Sequence, residues 1–235
     1  MDAAAAYAAT AARVLAEVLP GADWHVAVAA CPGWSVHDLV GHLVGLAEDV
    51  GAGRVDGYGT APWTAAHVLR ARGVAPEALT ERWRAAVEPV CAVLADPEAN
   101  DTPRFVAAMT MADAVIHEHD LRATLHRRGA RDEPVIGDLV ANQLRRIDRA
   151  CDAAGRGISL TLTGGARVEL GPAGPLALTV DPFELWRATV GRRSLAQILA
   201  FDWSEPPGAI AELLLFRPAA PGPAPIDWPS ADLVE

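Results

Sequence analysis

The chain holds 235 residues, carries a formal net charge of −10 and is 51 % hydrophobic. That hydrophobic share is ample for a packed core and too high for a disordered chain, and the length suits one large domain or two modest ones. The acidic balance argues against a protein that tracks a nucleic-acid backbone. No uncharged apolar run reaches the roughly eighteen residues of a membrane span. The Ala-rich start opens with Asp2 and lacks the basic region of a secretory signal. We therefore expect a cytoplasmic protein with neither nucleic acid nor membrane as partner.

Residues 3–19 place Tyr7, Ala11, Val14, Leu15 and Val18 at helical spacing, and Pro20-Gly21 stops the run. A connection over residues 22–34 follows. The second helix starts at Ser35, an N-cap with Asp38 three residues on in a variant of the capping box. Its apolar face is Val36, Leu39, Val40, Leu43, Leu46 and Val50, and His42 lies one turn from Leu39 and Leu46, facing the interior. Residues 51–75 are Gly-rich, with Tyr58, Pro62 and Trp63. They read as a functional loop, interrupted by a short helix around 64–72. A third helix runs from Pro76 to about Leu94 with a kink expected at Pro89. After the break at 96–103, a fourth helix covers about Phe105 to Arg127, with Gly129 as its C-cap candidate, and a fifth fits Ile136 to Ala153.

The period then changes to two. Residues 158–162, 166–170 and 176–180 read as strands, the first pair joined by a hairpin at Gly164-Gly165. Asp181 caps a helix over 182–190, short helices follow after Ser194 and over 209–215, and 217–235 read as an irregular Pro-containing tail. The pattern predicts a two-domain α+β protein. A helical bundle occupies 1–155 and a small α/β domain with its tail occupies 156–235. Every basic residue is Arg, and the pairs Arg127-Arg128, Arg145-Arg146 and Arg192-Arg193 read as solvated helix faces. Cys31, Cys91 and Cys151 have neither metal-knuckle nor redox spacing and read as reduced and buried. Nothing near Cys31 in the sequence is set to lower its pKa.

The chemistry concentrates on the fourth helix. Asp113 and His117 stand four residues apart on one face, their Cβ atoms roughly 5–6 Å from each other, so that a carboxylate oxygen and an imidazole nitrogen can grip one ion. A third ligand must come from another helix, and His42 is the best candidate. Two imidazoles and a carboxylate suit Zn²⁺ or another divalent first-row ion and leave positions open for water or substrate. The competing reading is a helix-surface pair beside a hydrogen-bonded core histidine. His119 faces elsewhere. Asp120 either holds an imidazole from behind or pairs with Arg122 or Arg127.

The run from Cys31 to Gly45, CPGWSVHDLVGHLVG, resembles the N-terminal motif of the mycothiol-dependent maleylpyruvate isomerase family, a branch of the DinB-like metalloenzymes. The run from Ala114 to Thr124 resembles its second motif, and Phe183 to Arg192 its C-terminal domain, where a helix ends in Gly-Arg. The resemblance implies a DinB-like four-helix bundle followed by a small α/β domain. It places His42 and His117 on the ligand histidines and Asp113 on the acidic ligand. Two positions depart from the pattern: the acid is usually Glu, and His119 stands where an aromatic is common. The implied cofactors are a divalent metal, expected to be Zn²⁺, and mycothiol as thiol cosubstrate, activated as a metal-bound thiolate for addition to an electrophile. The thiol and an electrophilic small molecule are the implied partners. An isomerase releases the thiol after rotation about the carbon–carbon bond; an S-transferase keeps it as a conjugate. Arg192, or its neighbour Arg193, suits an anionic carboxylate of thiol or substrate. The alternative is a member that keeps the fold as a non-catalytic small-molecule-binding or regulatory protein.

Overall fold

The structure, a computed structural model, describes residues 2–165, 167–215 and 229–234. They fall into two compact units, residues 2–129 and residues 130–215 with 229–234.

In the first unit, α1 (Ala3–Arg13) opens on the Asp2 carboxylate, which accepts from the Ala5 N–H at 3.0 Å. The predicted helix over 3–19 does not stay α-helical. It widens into a π-helical stretch, Val14–Val18, where the Leu19 N–H reaches back to the Val14 carbonyl at 3.0 Å. The reciprocal capping box of Ser35 and Asp38 starts α2 (Val36–Gly51) as the sequence predicts. Helix α2 is the central element, packed against α3 (Ala61–Ala71), α4 (Pro76–Ala95) and α5 (Arg104–Thr124), while α1 covers α4 and α5. Its buried face includes Leu39, Leu43, Leu46 and Val50.

Two fully buried features lock α1 to its neighbours. Trp83 of α4 donates its indole N–H to the Tyr7 hydroxyl at 3.1 Å, and burial pushes that phenol above its ordinary pKa. Glu118 of α5 accepts from Arg13 of α1 at 2.7 Å and from Arg122 at 3.0 Å. Helix α5 ends at Thr124, earlier than predicted. The left-handed residue that closes it is His126, at φ 54°, with the Arg127 N–H bonded to the Arg122 carbonyl at 2.8 Å, so Gly129 is not its cap.

The second unit begins with α6 (Pro134–Ala154), closed by Gly155 in a left-handed conformation. Strands β1 (Ile158–Leu162), β2 (Arg167–Leu170), β3 (Ala177–Val180) and β4 (Asp202–Trp203) form one sheet in the order β2-β1-β3-β4. The predicted β1–β2 hairpin is present, but β1 and β3 pair in parallel, and β4 adds a short antiparallel edge with no clear sequence signal. Asp181 caps α7 (Pro182–Thr189) as predicted, Ser194 caps α8 (Leu195–Leu199), and α9 (Ala211–Leu214) follows a 3₁₀ turn.

Ile147 and Cys151 of α6 pack into one core with Leu160, Leu178, Leu185 and Ile198. The sequence boundary near residue 155 assigned α6 to the bundle. Its apolar stripe instead covers the sheet, so the compact division follows Gly129. The Gly-Arg-Gly break at 155–157 stops a helix; it does not separate domains.

The reading of all three Arg pairs as solvated also changes. Arg146 donates to the Leu213 and Leu215 carbonyls at the end of α9, Arg127 to the Glu17 and Pro20 carbonyls, and buried Arg193 to Glu184. Of the cysteines, only Cys151 is fully buried; Cys31 and Cys91 are half-buried. Within the predicted tail, residues 217–228 and 235 lie outside the described residues. Over the rest, Asp232 accepts from Ser194 at 2.5 Å and the Leu233 carbonyl from Gln197 at 2.8 Å. No helix among the described residues is long and apolar enough to cross a membrane.

Candidate metal centre

His42 on α2 and Asp113 and His117 on α5 meet inside the first unit. The His42 Nε2 lies 3.2 Å from Asp113 Oδ2, and the His117 Nε2 lies 3.5 Å from Asp113 Oδ1. The imidazoles stand nearly perpendicular, with ring centroids 5.6 Å apart. The histidine side chains are 7 % and 8 % exposed and the Asp113 side chain 28 %, so the cluster opens toward solvent at Asp113. The sequence resemblance set Asp where the family usually has Glu. Here the shorter arm still reaches both rings.

Each histidine is held from behind through its other nitrogen. The His117 Nδ1 lies 2.9 Å from the fully buried Asp120 Oδ2, which settles Asp120 as the imidazole's partner; Arg122 pairs with Glu118 and Glu17 instead. The His42 Nδ1 lies 3.1 Å from the Nδ1 of His67 on α3, whose Nε2 lies 3.1 Å from Asp49 Oδ2. Asp49 also accepts from Arg54 at 2.7 Å and Arg70 at 2.8 Å. Cys31 lies closer to this chemistry than its sequence neighbours indicate. Its sulfur is 3.9 Å from His117 Nδ1 and 3.7 Å from Asp120 Oδ2. Trp34 lies against His42, Trp63 against His67, and Tyr58 against Trp63.

The carboxylate and the imidazoles shift one another's proton affinity. Burial alone would raise the Asp113 carboxyl, but the His117 and His42 imidazoles outweigh it and hold the acid below the usual carboxylate range. Burial alone would lower His117, but the Asp113 carboxylate and the contacts with Asp120 and Cys31 hold it well above its ordinary value. His67 differs: burial and the neighbouring His42 push it down to about 4.

These residues fit a divalent cation. Donors bound at about 2.0–2.2 Å in a tetrahedral arrangement lie roughly 3.3–3.6 Å from one another, and the separations here are close to that, 3.2 Å from His42 to Asp113 Oδ2 and 3.5 Å from His117 to Asp113 Oδ1. All three donor atoms lie within 4.8 Å of one another. Both histidines present Nε2 to the cluster and give Nδ1 to an outer partner, the arrangement by which an imidazole is fixed for a cation. A second grouping among the described residues, Cys31, His117 and Asp120, uses the opposite nitrogen of His117.

The structure thus brings together three of the four residues singled out in the sequence. The fourth, Arg192, belongs to the second unit, where its guanidinium donates to the Val190 carbonyl at 2.8 Å. Sequence reasoning missed His67 and Asp49. The only local signal for His67 was its place in the short helix of the Gly-rich segment, beside Trp63.

Fold and site together define a helical-bundle protein with an α+β build and a candidate cation centre on two of its helices. The chain belongs to the family of the mycothiol maleylpyruvate isomerase N-terminal domain, whose pattern matches residues 5–122. Among solved structures, a histidine-to-alanine mutant of the mycothiol-dependent maleylpyruvate isomerase matches with a TM-score of 0.52 at 14 % identity, over 80 % of this chain and 86 % of that one. Another crystal structure of the mycothiol-dependent maleylpyruvate isomerase gives 0.49 at 15 % identity, over 81 % and 85 %. At such identities the first likeness shows the fold. No curated protein matches the chain.

Proposed function

We propose that the protein is a metal- and thiol-dependent enzyme related to maleylpyruvate isomerase, in which His42, Asp113 and His117 hold a divalent cation and a low-molecular-weight thiol of the mycothiol type is the cosubstrate. The observation that carries this reading is the convergence of two outward-anchored Nε2 atoms on one carboxylate, with separations of 3.2 and 3.5 Å. A divalent ion held by these residues would supply Lewis acidity, which favours the thiolate form of a bound thiol as nucleophile toward an electrophilic carbon.

The chain's own residues do the rest. His42 and His117 are held in one tautomer and one ring orientation by their Nδ1 partners. Asp113 supplies negative charge at the mouth of the site, and Trp34 lies against His42, with Trp63 behind it against His67. Zn²⁺ is the favoured ion, because two nitrogens and one oxygen match its donor preference. Addition of the thiol is common to an isomerase and an S-transferase, and the reading covers both.

The test is metal content of protein purified without chelator, for wild type, His42→Ala and His117→Ala, followed by a screen of thiol–electrophile pairs. About one ion per chain, lost in both variants, with thiol-dependent turnover in the wild type, is the expected result. No ion as purified and none taken up from Zn²⁺, Ni²⁺ or Mn²⁺ overturns it and leaves a relative that shares only the fold.

A further inference from the structure

We propose that His67 and Asp49 are positioning residues: a hydrogen-bonded chain running Asp49–His67–His42 sets which nitrogen of His42 faces the cluster. The inference rests on His42 being a cation donor, and it assigns a role to two residues outside the donor set.

A neutral imidazole has one N–H and one lone pair. For His42 to offer its Nε2 lone pair beside Asp113, its proton must sit on Nδ1. That Nδ1 lies 3.1 Å from the Nδ1 of His67, which must then accept. The His67 proton is thereby placed on Nε2, 3.1 Å from Asp49 Oδ2, an atom that only accepts. The opposite arrangement puts the His67 proton on Nδ1. It turns His42 around and sets two lone-pair atoms, His67 Nε2 and Asp49 Oδ2, against each other in a fully buried position.

Packing removes the other freedoms. The Trp63 ring lies 4.1 Å from the His67 ring at 72°, and Gly45 leaves the space that the His67 ring occupies. Arg54 and Arg70 fix Asp49, so the carboxylate cannot turn away. His117 receives the same orientation directly from Asp120. The two donors are therefore held alike, one through a carboxylate and the other through a carboxylate relayed by an imidazole.

The first test needs no variant. In Zn²⁺-loaded wild-type protein, ¹⁵N–¹H correlation spectra of the imidazoles should show His67 protonated on Nε2 and His42 on Nδ1. His67 protonated on Nδ1 overturns the proposal. The second test is Zn²⁺ affinity by chelator competition. His67→Phe keeps bulk without a hydrogen-bonding atom and should weaken binding about 10–100-fold, the usual cost of losing such a partner. His67→Gln, which returns an acceptor, should recover at least part of that loss. His42→Ala separates the two readings. If His42→Ala abolishes Zn²⁺ binding while His67→Phe stays within twofold of wild type, the relay is wrong and the metal centre stands. If His42→Ala leaves Zn²⁺ binding intact, the metal reading itself fails and the relay with it.

Discussion

Gly45 and His67 face each other with nothing between them: a β-carbon on Gly45 would stand 2.6 Å from the His67 Cβ and 2.8 Å from its Cγ. The bare backbone of α2 is what admits the imidazole of α3. In a helix interior Ala is favoured over Gly by about 1 kcal/mol, but overpacking against a rigid ring costs about 1–3 kcal/mol. Gly45→Ala should therefore be net destabilising in urea or thermal melts and should also weaken Zn²⁺ binding. Gly137 on α6 is the control, because no atom lies within 4 Å of where its β-carbon would sit. Gly137→Ala should stabilise by about 0.5–1 kcal/mol. Equal effects of the two substitutions would show that the Gly45–His67 approach is not tight.

Asp120 and Cys31 both touch the rear nitrogen of His117, but at different distances. The carboxylate at 2.9 Å is a hydrogen-bond partner; the sulfur at 3.9 Å is a weak neighbour. Asp120→Ala should weaken Zn²⁺ binding about 10–100-fold, while Cys31→Ser should change it little. Chelator competition on the two variants distinguishes them, and a larger loss from Cys31→Ser would point to the sulfur as a donor in its own right.

Glu118 is fully buried between Arg13 and Arg122, whereas Glu98 and Arg104 pair with side chains 70 % and 78 % exposed. Removing one partner of a buried pair costs about 3–5 kcal/mol because charge is left uncompensated. Exposed pairs contribute about 0–1 kcal/mol. Glu118→Ala should lower the unfolding free energy by several-fold more than Glu98→Ala in denaturant titrations.

Glu184 is a partly buried, doubly paired carboxylate of the second unit. Burial alone would raise it, but hydrogen bonds and charge from Arg193 and Arg131 hold it below its ordinary value of 4.5. A lowered folded-state pKa means stability that is present above that ordinary value and lost as pH falls through the lower folded one. Wild type should exceed Glu184→Gln in stability by a constant margin from neutral pH down to about 5, with the margin shrinking below that. Melts of both proteins across this range measure it, and a margin independent of pH at the acid end contradicts the assignment.

What was legible in the sequence was local. The Ser35 capping box, the apolar stripe of α2 and the Asp113–His117 spacing are set by residues within one or two helical turns, and pattern reading recovers such things. One long-range step, His42 meeting Asp113 across 71 residues, was expected through the family resemblance; the others were not legible. Nothing in the residues around His67 shows that it meets His42 and Asp49, because that contact exists only once α3 folds back along α2. Cys31 looked isolated for the same reason: His117 and Asp120 arrive from a helix 86 and 89 residues further along. The parallel pairing of β1 with β3 is a property of topology, and the stripe on α6 has the same period whichever core it covers.

Two indoles stand at the heart of this arrangement, Trp34 with its ring centroid 5.3 Å from that of His42 and Trp63 at 4.1 Å from that of His67. Indole emission responds to charge placed against the ring, and a charged imidazole beside an aromatic face is electrostatically coupled to it. The protein thus contains its own optical probe. The chain holds seven tryptophans, so Trp34→Phe and Trp63→Phe would show, by difference from wild type, how much of any emission change on Zn²⁺ loading arises beside each histidine.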